Sequence, residues 1–328
     1  MNHTFSNING HTLSMAIFLA HNDYDGDSPD DKTISVTNLL KSTRQVVLTK
    51  RLSGDLVSDI SNFIASRMGQ AWHLAIEQAL TSDKLEETLI KLGYPSRVAK
   101  LVVVNPTKEY IKDNPDALPI YTENRIEKKV NGWTISGKYD QVMMGVLEDN
   151  KQTKTFSYGN EEKIEDYSLQ GSMYRYLNPD IITEDYMRIN FNFPNWEKYM
   201  SKKAGYPHSQ LMSQVIKLKS PEFIEQFIIS KTNEINKYID ADEEVLPFCS
   251  PKELWQKPSV YKYFANPNNK TATKNFDNAF DANTYQREKG KGIVVEQLGE
   301  VVACKYCACF NLCTQKDRYI NNGLLKLE

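Results

Sequence analysis

The sequence predicts a mixed α/β layer fold with a cysteine-bearing module at its C-terminal end. Three observations predict it: an amphipathic helical stretch before residue 80, β-rich segments around an Asn131-Gly132 turn, and four of five cysteines gathered between Cys304 and Cys313. Helix, antiparallel strands, helix and strand, in that order, fit a mixed central sheet flanked by helices.

Residues 1–34, with an Asp- and Gly-rich stretch at 22–31, read as a partly disordered lead-in. A helical start at Ser35 is followed by apolar Leu39, Leu40, Val46, Val47 and Leu48, then basic Lys50 and Arg51. Over 55–80, Ile60, Phe63, Ile64, Met68, Trp72, Ile76 and Leu80 recur at three- and four-residue steps, the spacing of one buried helical stripe. His73 and Glu77 are four apart and share a helix face. Asn131-Gly132 between β-rich flanks predicts a tight hairpin, with strands at 133–139 and 141–147. A helix at 164–177, a strand at 187–193 and a helix at 222–239 complete a core over 35–245. After Leu246-Pro247 the composition turns polar, and residues 246–328 read as a module packed on the core.

At 328 residues, 40% hydrophobic and 25% charged, the chain can bury a substantial core. Its 40 basic and 42 acidic residues exclude no partner, because charge can be segregated over the surface. The apolar run at 15–20 is far shorter than the ~20 residues of a membrane span and lacks the flanks of a signal peptide, so the expected location is the cytoplasm. Five cysteines in a chain without an export signal point away from a disulfide framework and toward metal ligation.

Metal-assisted phosphodiester hydrolysis requires hard oxygen ligands held together and a cation to meet the charge that builds on phosphate. Asp140 falls at the end of one predicted strand and Asp149 at the end of the next, with Lys151 two residues on. Alternation along an extended chain points Asp149 and Lys151 to one side and leaves the Asn150 carbonyl available as a ligand. An acid and a lysine two apart are also common surface decoration, so the triplet alone decides nothing. Gln170 and Tyr174, four apart, share a face of the next helix.

Gly69-x-x-x-His73-x-x-x-Glu77, Gly137-x-x-Asp140, Asp149-x-Lys151 and Gln170-x-x-x-Tyr174, in this order, resemble the RecB-type branch of the PD-(D/E)XK nuclease superfamily over residues 35–195. The resemblance implies a three-layer restriction-endonuclease-like core and a magnesium- or manganese-dependent deoxyribonuclease, exonuclease in mode. It implies His73, Asp140 and Asp149 as metal ligands, Lys151 as the catalytic lysine, Gln170 and Tyr174 at the scissile strand or supporting the site, and Glu77 behind the ligands. Glu148 beside Asp149 is a departure; the x-Lys spacing favours Asp149. Residues 35–51 resemble what precedes the first motif in phage-encoded relatives. DNA recombination, replication or processing in a bacterial host cytoplasm follows as the expected setting, with a helicase or single-strand annealing protein as possible partner.

Cys304-x-x-Cys307-x5-Cys313 supplies three thiolates in one short loop, Cys249 is the distant fourth, and Cys309 is spare. The spacing is similar to that of the AddB-type and CRISPR spacer-acquisition iron-sulfur nucleases, which implies a 4Fe-4S cluster; zinc is the alternative. Those proteins place their fourth cysteine before the first motif, whereas here none precedes His73. Ser42, Arg44, Lys50, Arg51, Lys262, Lys270 and Lys274 could line a phosphate track, with Tyr261, Tyr263 and Phe264 stacking on bases. Trp255 reads as a packing anchor. A non-catalytic DNA-binding or scaffolding subunit and a zinc-type binding protein stay open as other classes.

Overall fold

A computed structural model describes residues 3–21, 32–52 and 56–327. The Asp- and Gly-rich stretch 22–31 lies outside the described residues. The elements run β1 (His3–Ser6), α1 (Leu13–Ala20), β2 (Thr33–Ser35), α2 (Val36–Leu39), α3 (Thr43–Lys50), β3 (Leu56–Asp59) and α4 (Ile64–Leu80). There follow α5 (Leu85–Lys91), α6 (Ser96–Ala99), β4 (Val102–Val104), α7 (Lys108–Asp113), β5 (Leu118–Thr122), β6 (Arg125–Val130), β7 (Trp133–Lys138), β8 (Gln141–Met143) and β9 (Val146–Gln152). The remainder is α8 (Glu161–Leu177), β10 (Tyr186–Asn192), β11 (Leu211–Lys217), α9 (Pro221–Tyr238), β12 (Val260–Phe264), β13 (Lys274–Phe276), α10 (Ala279–Lys289), β14 (Ile293–Gln297) and α11 (Gln315–Asn321).

The chain forms two compact units, residues 1–40 with 54–232, and residues 41–53 with 233–328. The first holds a six-stranded mixed sheet in the order β11-β10-β9-β8-β5-β4, and a three-stranded sheet β2-β7-β6. Strand β9 is parallel to β10 and antiparallel to β8, so it is central and hydrogen-bonded on both edges. Leu147, Met187 and Ile189, all at most 1% exposed, form the core under α8. Helix α4 packs against β9. This is the three-layer mixed α/β architecture expected of a restriction-endonuclease-like core.

The Asn131-Gly132 turn is present as read, with φ of 50° and 75°, the left-handed pair that a two-residue hairpin needs. Two boundaries differ from expectation. Residues 56–59, read as the start of a helix, form β3, because β1 pairs with them in parallel and takes up their backbone hydrogen bonds. Residues 141–147, read as one strand, are broken by a second tight turn at Met144 (φ 49°) and Gly145 (φ 84°). Strand β9 therefore begins at Val146, and Asp149 and Lys151 lie inside it rather than at its end. Methionine in a left-handed turn position gives no compositional signal. Two segments read as lead-in form β1 and α1.

In the second unit, α3 contributes Val47 and Leu48 to a core with Leu246 and Cys309, and Tyr238, Ile239, Cys307 and Cys313 pack around it. That packing places residues 41–53 with the cysteine-bearing segment, although the sequence put them in the nuclease core. A small sheet, β13-β12-β14, is backed by Tyr263, 1% exposed, edge-on to Tyr285 with ring centres 5.1 Å apart.

Candidate active site and cysteine cavity

Strand alternation on β9 turns Asp149 and Lys151 to the α8 side and Glu148 and Asn150 to the other. Lys151 Nζ donates to Asp149 Oδ1 at 3.0 Å and stands 2.7 Å from Oδ2, which is buried and accepts no hydrogen bond. Burial pushes the Asp149 carboxyl up to about 6, against the pull of Lys151 and with the push of Asp140. Burial disfavours the Lys151 ammonium, but Asp149 and Asp140 outweigh it and hold the amine well above its ordinary value. Of the neighbouring acids, Glu148 is engaged on the opposite face, 3.1 Å from Arg188 Nη1.

Asp140 sits between β7 and β8, and Asn150 brings the two halves of the site together. Its backbone N–H donates to Asp140 Oδ2 at 2.6 Å, and its carbonyl oxygen accepts from His73 Nε2 at 2.7 Å. His73 Nδ1 lies 3.3 Å from Asp140 Oδ1. Burial opposes charge on the imidazole, yet Asp140, Asp149 and the Asn150 carbonyl raise its proton affinity. Burial likewise opposes the Asp140 charge, but His73, Lys151 and the Asn150 N–H lower its carboxyl below the usual range.

A third acid, Glu123, was not anticipated. Ligand atoms of His73, Glu123 and Asp140 all lie within 4.8 Å of one another. The hairpin that brings them together was legible: Arg125 pairs with Lys138, and two steps outward along both strands Glu123 meets Asp140, its N–H donating to the Asp140 carbonyl at 2.9 Å. Glu123 has φ of 51°. Burial raises its carboxyl, opposed by the Lys138 ammonium 2.6 Å away. Glu77, one turn beyond His73, is half-buried and adds to the negative charge felt by Glu123.

Helix α8 completes the site. Gln170 Oε1 accepts from Lys151 Nζ at 3.5 Å, and Gln170 Nε2 donates to Tyr174 Oη at 3.1 Å. Tyr174 is 4% exposed, and burial drives its hydroxyl far above the usual phenol range. Gly137 is the residue that admits it, since a Cβ there would press on the Tyr174 ring. His73 and Asp140 are thus linked through Asn150, and Asp149, Lys151, Gln170 and Tyr174 through their side chains, the two sets meeting along the backbone of β9.

No family model or curated protein matches the chain. Among solved structures it is similar to SSO0001, with TM-score 0.37 and 14% identity over 69% of this chain and 83% of that one. LHK-Exo in complex with dAMP gives 0.26 and 14% over 62% and 92%. A phage-related exonuclease from Haemophilus somnus 129PT gives 0.24 and 13% over 60% and 93%. Likenesses this distant carry nothing about activity; the chemistry of the site rests on its own geometry.

In the second unit Cys249, Cys304, Cys307, Cys309 and Cys313 line one small cavity. Helix α3 and its N-cap reach four of them. Ser42 Oγ lies 3.2 Å from Cys249 Sγ, Arg44 Nε donates to Cys313 Sγ at 3.2 Å, Gln45 Nε2 to Cys307 Sγ at 3.8 Å, and Thr49 Oγ1 lies 3.0 Å from Cys309 Sγ. Hydrogen bonding from Cys309 brings the Cys307 thiol down to about 6, whereas burial pushes Cys304 up to about 11 and Cys249 upward.

These contacts remove Ser42 and Arg44 from the anticipated phosphate track. Both are buried, at 4% and 1%, and Arg44 also donates to the Leu246 carbonyl at 3.0 Å. Arg51 is spent on the backbone carbonyls of Tyr238, Ile239 and Ala241. Tyr263 is a core residue. Trp255, read as a packing anchor, is 55% exposed beside Tyr306, with ring centres 6.2 Å apart. No described helix is long and apolar enough to cross a membrane.

Proposed function

We propose that the chain is a magnesium- or manganese-dependent deoxyribonuclease, exonuclease in mode, acting on DNA in phage recombination, replication or processing in a bacterial cytoplasm. The observation that carries the proposal is the gathering of Asp140, Asp149, Lys151, His73 and the Asn150 carbonyl along the C-terminal half of β9.

The donor set suits a hard divalent cation: carboxylate oxygens, a backbone carbonyl and an imidazole, with buried Asp149 Oδ2 ion-paired to the Lys151 ammonium at 2.7 Å. His73, Glu123, Asp140, Asp149 and the Asn150 carbonyl would hold it. Such an ion supplies Lewis-acid polarisation of the phosphate and lowers the pKa of water. Lys151, anchored by Asp149 and Gln170, presents a fixed positive charge to the phosphate oxygens as negative charge accumulates, and orients the attacking water. Tyr174 holds Gln170, which in turn keeps Lys151 from swinging away.

For the cysteine module the proposed group is a 4Fe-4S cluster held by Cys249, Cys304, Cys307 and Cys313. What supports the cluster is the Cys304-x-x-Cys307-x5-Cys313 spacing with Cys249 lining the same cavity; four thiolates would serve tetrahedral zinc as well.

Cleavage of end-labelled linear and circular DNA with magnesium, manganese or chelator, wild type beside Asp149→Asn, tests the reading. Metal-dependent cutting of linear DNA that the variant lacks is the expected result. DNA binding without cutting under any condition would favour a scaffolding subunit instead.

A further inference from the structure

The sheet face turned away from Lys151 carries a row of neutral polar side chains that the proposed chemistry does not use. Ser213 Oγ donates to Asn190 Oδ1 at 2.7 Å. Asn190 Nδ2 is shared between Glu148 Oε2 at 3.1 Å and Asn150 Oδ1 at 3.4 Å. Asn150 Nδ2 donates to Gln141 Oε1 at 2.8 Å, and Gln141 Nε2 returns a bond to Asn150 Oδ1 at 3.5 Å. Strand register builds the row: Ser213 stands opposite Asn190, Asn190 opposite Asn150, and Gln141 reaches Asn150 across the β8–β9 diagonal.

Asn150 and Gln141 are 2% and 5% exposed. Two carboxamides left unsatisfied at that depth would destabilise the fold, and their reciprocal pairing removes the penalty. An apolar pair would fill the same space without that requirement. What the amides add is orientation, because a clamped carboxamide leaves residue 150 little freedom to rotate its flanking peptide groups. Those groups are the ones that matter: the N–H holds Asp140 and the carbonyl faces His73. An aspartate at 150 would put a second charge beside Glu148 and lose the donor to Gln141.

We infer that Asn150 is a positioning residue whose carboxamide, clamped by Gln141 and Asn190, fixes the carbonyl offered beside His73 and Asp140 and so sets the affinity of the site for a divalent cation. Its side chain touches neither substrate nor ion. The inference rests on reading the site as a divalent-cation centre.

The test is manganese binding to the full chain, read from the electron paramagnetic resonance of free Mn2+, alongside DNA cleavage over a range of Mn2+ concentrations. Asn150→Gln and Gln141→Asn each spoil the fit of the pair, and the double exchange restores its combined length. Each single variant should weaken Mn2+ binding about tenfold or more, the usual effect of displacing groups that orient ligands, and Gln141→Asn, which alters no group that holds the ion, should leave kcat at saturating Mn2+ little changed. The double exchange should recover most of the affinity. Should a single variant fail to fold, Asn190→Ala removes only one arm of the clamp and should still weaken binding. Unchanged Mn2+ affinity in folded variants, or lost kcat at unchanged affinity, would overturn the inference, as would a wild type that binds no Mn2+. A wild type that binds Mn2+ but cuts no DNA sinks the nuclease reading, and the binding series still decides the role of Asn150.

Discussion

Tyr174 occupies the space that a side chain at Gly137 would need: a Cβ there would stand 2.9 Å from Tyr174 Cε1. Gly137→Ala should therefore push the ring off Gln170 and destabilise the fold by about 1–3 kcal/mol, the usual cost of overpacking. Urea titration checks the loss. Combining it with Tyr174→Ala should cost less than the sum of the two single changes, because the clash with the ring is then gone and only the Val36 contact at 3.1 Å remains.

Asp149 and Lys151 differ in what their removal leaves behind. Asp149→Ala strands an ammonium among few counter-charges, and breaking a buried pair in this way costs about 3–5 kcal/mol; with Lys151 still 25% exposed, the lower end applies. Both Asp149→Ala and Asp149→Asn should abolish cleavage, with the alanine variant melting lower. Lys151→Met should keep metal binding while turnover falls by about 100-fold or more. Calorimetric melting and single-turnover cleavage separate these outcomes.

Protons would compete with the proposed cation at this site. His73 and Asp149 both bind protons more tightly than free side chains, the latter up to about 6, and both must lose them to act as ligands. Affinity for Mg2+ or Mn2+ should fall steeply as pH drops through about 6, with protons released on binding. In the metal-free protein the raised His73 value contributes stability that is full below its ordinary 6.5 and is lost as pH rises through the folded value. Isothermal titration in buffers of different ionisation enthalpy measures the protons released, and zero would contradict the assignment.

Cys307 and Cys309 should respond oppositely to serine. Cys307→Ser removes a proposed ligand and should lose bound metal together with folding free energy. Cys309→Ser should keep the metal and cost about 1 kcal/mol or less, since the buried hydroxyl would inherit the Thr49 Oγ1 and Gln45 carbonyl partners of the thiol. Visible absorption, iron and zinc analysis and melting temperatures report on both.

Much of the candidate site's geometry was legible because its spacing is local. Asp149 and Lys151 share a strand face by alternation, Gln170 and Tyr174 a helix face, and the Asn131-Gly132 turn fixes the register that carries Asp140. Glu123 could have been found by extending that register two steps. The Met144-Gly145 turn could not, because nothing in a methionine announces a left-handed backbone. Nor could the fate of α3: its apolar residues fit either unit, and only the tertiary contact of Ser42, Arg44, Gln45 and Thr49 with cysteines some two hundred or more residues away decides it.

That discontinuity has a consequence for biosynthesis. A helix made early must wait for its partner cysteines until the intervening strands have been translated, a delay on the order of ten seconds or more at ordinary elongation rates. During that interval the apolar side of α3, with Val47 and Leu48, has no native cover from the segment yet to come. The nascent chain therefore carries a sticky helix through most of its synthesis, and C-terminal truncation would make that exposure permanent.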